Sequence, residues 1–308
     1  MKRLFALFSI SLLAFAASGC SKTKKTIFTG LPAVDDTYYK PFKQDIKQFK
    51  EALHSRAVDY GDIWIRDVAP VVTDRLIKFN YSPDYLSKKQ SRAINTTFMD
   101  WLDKEGFDYE LSAIILDGGN FVYNREDTVI ITKRILKDNP EYSQNALINE
   151  LKKLLHVRKI ILIDEEPGDV LGHADGQVFF IKTDTLFIGD FEGNSLVKKQ
   201  IKQAAPELKI IDLPSNYQEE GQYDKSIPSA RGLYVNMMET ETTLYVPKYG
   251  LKTDQQVMEL VSQYTNKKIQ AVDVRTLSTL GGSINCLTWY CPNELLPDNE
   301  DSLSFKNS

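Results

Sequence analysis

Apolar residues recur at helical spacing in five stretches of the chain, residues 42–53, 87–104, 144–155, 195–204 and 254–264. Each places an apolar stripe on one face, the period of a helix laid against a core. Each leads into a short hydrophobic run that predicts a strand, at 62–65, 112–116, 159–163, 208–212 and 268–272. The helix starts fall about 45 to 60 residues apart, the spacing of one supersecondary unit used five times. Further strands are predicted between the units at 128–132, 176–181, 185–188, 233–236 and 243–246. Two units end alike, in Leu116-Asp117-Gly118-Gly119-Asn120 and Leu280-Gly281-Gly282-Ser283. The expected fold class is therefore mixed α/β, built of repeated strand–helix–strand units. Set around a centre, such units gather their strand ends at one face, where binding sites commonly form.

The two ends depart from this pattern. Met1-Lys2-Arg3 is positive, residues 4–17 are an apolar run, and Ala17-Ser18-Gly19-Cys20 follows. The run is too short to span a bilayer comfortably, so it reads as a cleaved signal peptide. A cysteine directly after small residues resembles a bacterial lipobox, with Ala17 where leucine is usual. Cys20 is then the lipidated first residue of an exported protein anchored to a bacterial membrane; an ordinary signal peptide cut nearby is the alternative. The expected division is a signal peptide over 1–19, a tether over 20–30, one folded domain over 31–292 and a loose polar tail over 293–308. The 308 residues, 42% of them hydrophobic, suffice for a full core. A net charge of −4 with no long basic block excludes a nucleic-acid footprint.

With Cys20 set aside, Cys286 and Cys291 remain of three cysteines. They could pair in an exported protein, but so small a ring gains little chain entropy, and pairing would consume the thiolate. Cys286 follows the glycine-rich turn Gly281-Gly282-Ser283-Ile284-Asn285. Glycines there let the backbone turn sharply and admit a close ligand. Three other segments end predicted strands with polar groups ill suited to packing: Trp64-Ile65-Arg66-Asp67, Leu116-Asp117-Gly118-Gly119-Asn120 and Gly172-His173-Ala174-Asp175. Around a common axis these would bring together Asp67, Asp117, Asp175, His173 and Cys286. Three carboxylates in one pocket repel one another unless a cation sits among them. A guanidinium is the planar cation that carboxylates grip in forked pairs. Its central carbon resists water but suits a thiolate, and a histidine can protonate the departing ammonia. Trp64 could wall the cation or an attached methylene chain.

In this order, Trp-x-Arg-Asp, Gly-Gly-Asn, Gly-His-x-Asp and Gly-Gly-x-x-x-Cys-x-Thr resemble the agmatine deiminase and bacterial (Porphyromonas-type) peptidylarginine deiminase family. The resemblance runs from about residue 59 to 292. It implies a pseudo-fivefold α/β propeller, the pentein fold, in agreement with the five units of the periodicity. It implies that Cys286 attacks the guanidinium carbon, that His173 is first acid and then base, and that Asp67 and Asp175 bind the guanidinium nitrogens. Asp117 stands where the family usually has glutamate, the carboxylate that orients the histidine, and is one methylene shorter. Asn236 matches a position near the substrate. Trp289-Tyr290-Cys291 replaces polar residues after the nucleophile and is expected to reshape the pocket beside the thiol. The expected activity is hydrolysis of agmatine, arginine or peptidylarginine to a ureido product and ammonia, with no metal and no organic cofactor. Two other readings are open: a lipoprotein that binds cationic amidines without turnover, and an amidinotransferase.

Overall fold

A computed structural model of the chain describes residues 25–215 and 221–298. Its frame is five three-stranded sheets. In each, a middle strand pairs antiparallel with a short inner strand and, by way of an amphipathic helix, parallel with an outer one. In the first sheet β1 (Ile27–Pro32), α1 (Lys43–Leu53) and β2 (Arg56–Gly61) form the parallel pair. The second sheet follows α2 (Ile65–Val68) and comprises β3 (Val71–Val72), β4 (Leu76–Asn80), α3 (Lys88–Glu105) and β5 (Glu110–Ile115). The third has β6 (Val122–Tyr123), β7 (Thr128–Thr132), α4 (Arg134–Asp138), α5 (Gln144–Leu155) and β8 (Lys159–Ile163). The fourth has β9 (Val178–Lys182), β10 (Thr185–Ile188), α6 (Asn194–Ala204) and β11 (Lys209–Asp212). The fifth has β12 (Met238–Glu239), β13 (Thr243–Lys248), α7 (Thr253–Ser262) and β14 (Lys268–Asp273). The last strand, β15 (Trp289–Tyr290), returns to the first sheet and pairs antiparallel with β1, Phe28 opposite Trp289. The result is the pseudo-fivefold α/β propeller expected from the motifs.

Local sequence explains the elements. In α5, Leu147, Leu151 and Leu155 recur every fourth residue and all are buried. The Ser143 hydroxyl caps the helix by accepting from the Ala146 amide, and His156 ends it in the left-handed region at φ 54°. The middle strand β7 is Thr-Val-Ile-Ile-Thr, all five of its residues β-branched and all five buried, as a strand covered on both faces requires. Helix α3 begins with a capping box between Ser87 and Gln90. It lays Phe98 into an aromatic cluster with Phe28, Trp101, Phe107 and Trp289.

All five long helices fall within two residues of their predicted bounds. Other expectations need correction. Residues 62–65 are not a strand: Ile63 and Ile65 are apolar because they plug a turn into the core, and that unit's strand is β2, where Val58 and Tyr60 alternate inward. Residues 233–236 are turns rather than a strand, entered through Gly232 at φ 96°. The expected tether over 20–30 is too long, since Ile27, Phe28 and Thr29 lie buried in β1. The expected loose tail over 293–308 is not loose at its start, because Leu295 and Leu296 pack on the aromatic cluster. Cys286 and Cys291 are free thiols, and Cys291 is fully buried. Trp289 does not reshape a pocket: it fills the aromatic cluster, and its indole nitrogen donates to the Pro70 carbonyl at 2.9 Å. The signal peptide and Cys20 lie outside the described residues. Among the described residues no helix is long and apolar enough to cross a membrane.

Candidate active site

Every residue singled out for chemistry lies just before a short inner strand. Asp67 is on α2, leading into β3; Asp117 starts the turn into β6; His173 and Asp175 precede β9; Asn236 precedes β12; Cys286 precedes β15. The five turns meet at one end of the propeller.

The turns are tied to one another by backbone-directed bonds. The Gly119 amide donates to Asp67 Oδ1 at 3.0 Å. Asn120 Oδ1 accepts from the Thr132 amide at 2.9 Å, while Thr132 Oγ1 donates to the Gly172 carbonyl at 2.6 Å, so β7 holds the Asp117 and His173 turns together. Gly119 has no alternative, because a Cβ there would lie 2.5 Å from His173 Nδ1 and 2.8 Å from Asp67 Oδ1. Gly282 lets Trp64 pack against the Cys286 turn, where a Cβ would come within 2.3 Å of the indole. Trp64 thus packs beside Cys286.

His173 sits between two carboxylates. Its Nε2 is 3.2 Å from Asp117 Oδ2 and its Nδ1 is 3.7 Å from Asp67 Oδ1. The shorter side chain of Asp117 therefore reaches the imidazole. Burial works against charge on His173, but Asp67, Asp117 and Asp175 outweigh it and raise its pKa, so the imidazolium form is favoured. Asp67 is itself shifted upward, by burial first and then by Asp117 and Asp175.

On the other side of the site, Asp175 Oδ2 accepts from Asn285 Nδ2 at 2.8 Å, and the Asp175 carbonyl accepts from Asn236 Nδ2 at 3.3 Å. Asn236 Oδ1 accepts from the Asn285 amide at 2.9 Å and from the Cys286 amide at 3.3 Å. Cys286 Sγ lies 3.5 Å from Asn236 Oδ1 and 3.9 Å from Asp175 Oδ2. Burial, then Asp175 and Asp67, push its thiol well above the ordinary range. Arg66 braces this wall, its amide donating to the Cys286 carbonyl at 3.3 Å and its Nε to the Asn285 carbonyl at 3.2 Å. With its carboxylates ionised, the cluster holds three negative charges against the two of His173 and Arg66. It is one cation short.

A chamber of about 510 Å³ opens from His173, Asp175, Asn236 and Cys286 toward solvent. Its outer wall carries Glu166, Asp169, Asp190 and Glu192, and among the described residues no lysine or arginine lines it. Burial and the neighbouring Asp169 raise the Glu166 carboxyl to about 7. Sequence reasoning missed this acidic mouth, which no motif marks, and it gave no role to Arg66 or Asn285. Both stand within the motifs, and their signal was a polar side chain next to each of two chemical residues.

A propeller of five α/β units with thiol, imidazole and carboxylates at the axial ends of its strands defines a guanidino-group-modifying protein. A profile of the Porphyromonas-type peptidyl-arginine deiminase family matches residues 33–292, and the chain belongs to that family. The family comprises hydrolases acting on guanidino C–N bonds. The chain is 22% identical to the agmatine deiminase of Medicago truncatula over 78% of its own length and 79% of that protein's. In fold it is similar to C. jejuni agmatine deiminase, with TM-score 0.72, 20% identity, and 86% and 92% of the two chains covered. It is likewise similar to the agmatine deiminase of Enterococcus faecalis, with TM-score 0.71, 17% identity, and 87% and 93% covered.

Proposed function

We propose that this protein deiminates a small guanidino compound bearing a second positive charge at its far end, agmatine being the type, and releases a ureido product and ammonia. The observation that carries this reading is the charge arrangement: a cluster whose three carboxylates, when ionised, outnumber its two cations, reached through a mouth whose only charged side chains among the described residues are carboxylates. A guanidinium fills the first deficit and a distal ammonium meets the second, whereas the carboxylate of free arginine would face Glu166 and Asp169 with like charge.

The geometry supports a two-step mechanism. Asp67 and Asp175 grip the guanidinium nitrogens and set its carbon before Cys286. The bound cation offsets the carboxylates that hold the thiol up, so once substrate is in place the thiol gives its proton to solvent, which later returns one to the released ammonia, and the thiolate forms. The sulfur adds to the carbon, and His173, kept protonated and aimed by Asp117, gives its proton to the departing nitrogen as the C–N bond breaks. The neutral imidazole then takes a proton from water, whose oxygen adds to the carbon, and the C–S bond breaks to return the thiol. Substrate plus water gives ureido product plus ammonium, with the enzyme unchanged. Upstream of the domain, Cys20 would carry a lipid and place this reaction at a membrane surface outside the cytoplasm; loss of membrane association in Cys20→Ser tests that part.

The activity is tested by incubating purified protein with agmatine, free arginine and an arginine peptide while measuring ammonia and ureido product. Agmatine is expected to turn over fastest, and Cys286→Ala is expected to lose at least about 10³-fold in kcat. Wild-type protein that binds agmatine yet releases no ammonia would overturn the reading in favour of a receptor. Faster turnover of free arginine would remove the second-charge argument.

A further inference from the structure

Behind the catalytic cluster lies a second chamber of about 520 Å³. All five short inner strands contribute to its wall, through Val72 of β3, Val122 of β6, Val178 of β9, Met238 of β12 and Tyr290 of β15. It is therefore the axial channel of the propeller. At its inner end stand Arg66, Asp175 and Asn285. Among the described residues Asp175 alone lines both this channel and the front chamber. The partition between the two is thus a layer of side chains, with Asp175 Oδ2 held by Asn285 and lying 3.9 Å from Cys286 Sγ on the front side. At its far end the channel reaches the exposed residues Asp74, Glu241 and Glu294. The ion pairs of the largely buried Glu239 with the more exposed Arg125 and Lys267 occupy one side of it.

The proposed reaction gives such a channel a task. When ammonia has left, the remaining carbon is bonded to Cys286 and still carries the substrate's chain, which points into the front chamber. Ammonia must leave and water must enter past that chain or by another way. We infer that the axial channel is that way: ammonia departs through it after the C–N bond breaks, and the hydrolytic water arrives through it, past Asp175 and Asn285. Both molecules are small enough to pass between side chains that shift rather than unfold. The middle of the channel, with Val72, Val122, Phe121 and Phe179, binds neither tightly, and the carboxylates at its far end attract the ammonium that forms on reaching solvent.

The inference rests on the deiminase reading, and the experiment separates the two. Val72→Trp narrows the channel without touching the catalytic cluster, and Val72→Thr serves as the size-matched control. The readouts are kcat and KM for agmatine, the fraction of enzyme carrying the amidino adduct after acid quench, and the rate of Cys286 alkylation by iodoacetamide, which enters from the front. Val72→Trp is expected to lower kcat about ten-fold with KM and alkylation little changed, while the adduct accumulates. The control is expected to match wild type. A folded Val72→Trp with kcat within two-fold of wild type, or a fall in kcat matched by an equal fall in alkylation, overturns the inference. Should Val72→Trp fail to fold, the same readouts on Phe179→Trp decide. If wild-type protein releases no ammonia from any of the three substrates, the proposed function fails and the channel's task fails with it; turnover indifferent to the plug fails the channel alone.

Discussion

The backs of the five sheets and the turns at their axial ends are built on opposite principles. Behind the axis, helix and paired strands repeat with little variation: stripes such as Leu147, Leu151 and Leu155 on helices and near-continuous apolar runs on middle strands. At the axis the turns differ in the polar residues they supply: Asp67, Asp117, the His173–Asp175 pair, Asn236 or Cys286. Sameness places the groups, and difference gives them chemistry. The frame also offsets a cost, because carboxylates, a thiol and a guanidinium are gathered there with much of their hydration removed.

The separation can be broken from either side. Phe98→Ala, in the aromatic cluster of the frame, should lower stability by about 3–5 kcal/mol in a denaturant titration, while kcat per folded molecule stays near wild type; a large fall in kcat would show that frame and site are not separable. Asp117→Asn should do the reverse, lowering kcat by about 10²–10³-fold with KM and melting temperature nearly unchanged, and an equal loss of substrate affinity would make Asp117 a substrate ligand instead. Lys78 violates the division, being a cation inside the frame. It is 2% exposed, its Nζ donates to the Phe79 carbonyl and Asn95 Oδ1, and burial lowers its pKa to about 7. Between about pH 7 and its unfolded value of about 10.4, the unfolded chain binds more protons than the folded one, so this residue makes stability rise with pH across that window. Lys78→Met should abolish the rise and stabilise the protein at pH 7 by about 1–3 kcal/mol; destabilisation would mean that its two hydrogen bonds outweigh the buried charge. Smallest is the effect at the mouth. With its carboxyl near 7, Glu166 loses charge as pH falls, so KM for agmatine should rise up to about ten-fold from pH 8 to pH 6, and Glu166→Gln should flatten that slope.

The frame was legible in the sequence because its signal is periodic: each helix stripe announces itself, and five of them at similar spacing announce the ring. What misled was hydrophobicity without periodicity. Ile63-Trp64-Ile65 looked like a strand because its apolar side chains anchor a turn, whereas the true strand, Arg56–Gly61, hides its alternation of Val58 and Tyr60 among polar neighbours. Leu233–Tyr234–Val235 is the same case, with Tyr234 and Val235 buried but the chain bent so that Asn236 can hold the Cys286 amide. Asp67, Asp117, His173, Asp175 and Cys286 were visible as polar residues at apolar strand ends, and the structure brings them together. The acidic mouth was invisible because its two local pairs, Glu166 with Asp169 and Asp190 with Glu192, come from two loops that converge only in three dimensions.

The pairing of β15 with β1 sets a schedule. Cys286 lies three residues before the strand that closes the first sheet, and Phe28, its partner strand's second residue, is made more than 250 residues earlier. The strands of the second to fifth sheets are all complete by Asp273, before the chain reaches Cys286, and the thiol takes its place only as the ring is sealed. An incomplete chain can therefore hold most of the frame and still lack the Cys286 turn that completes the axial cluster.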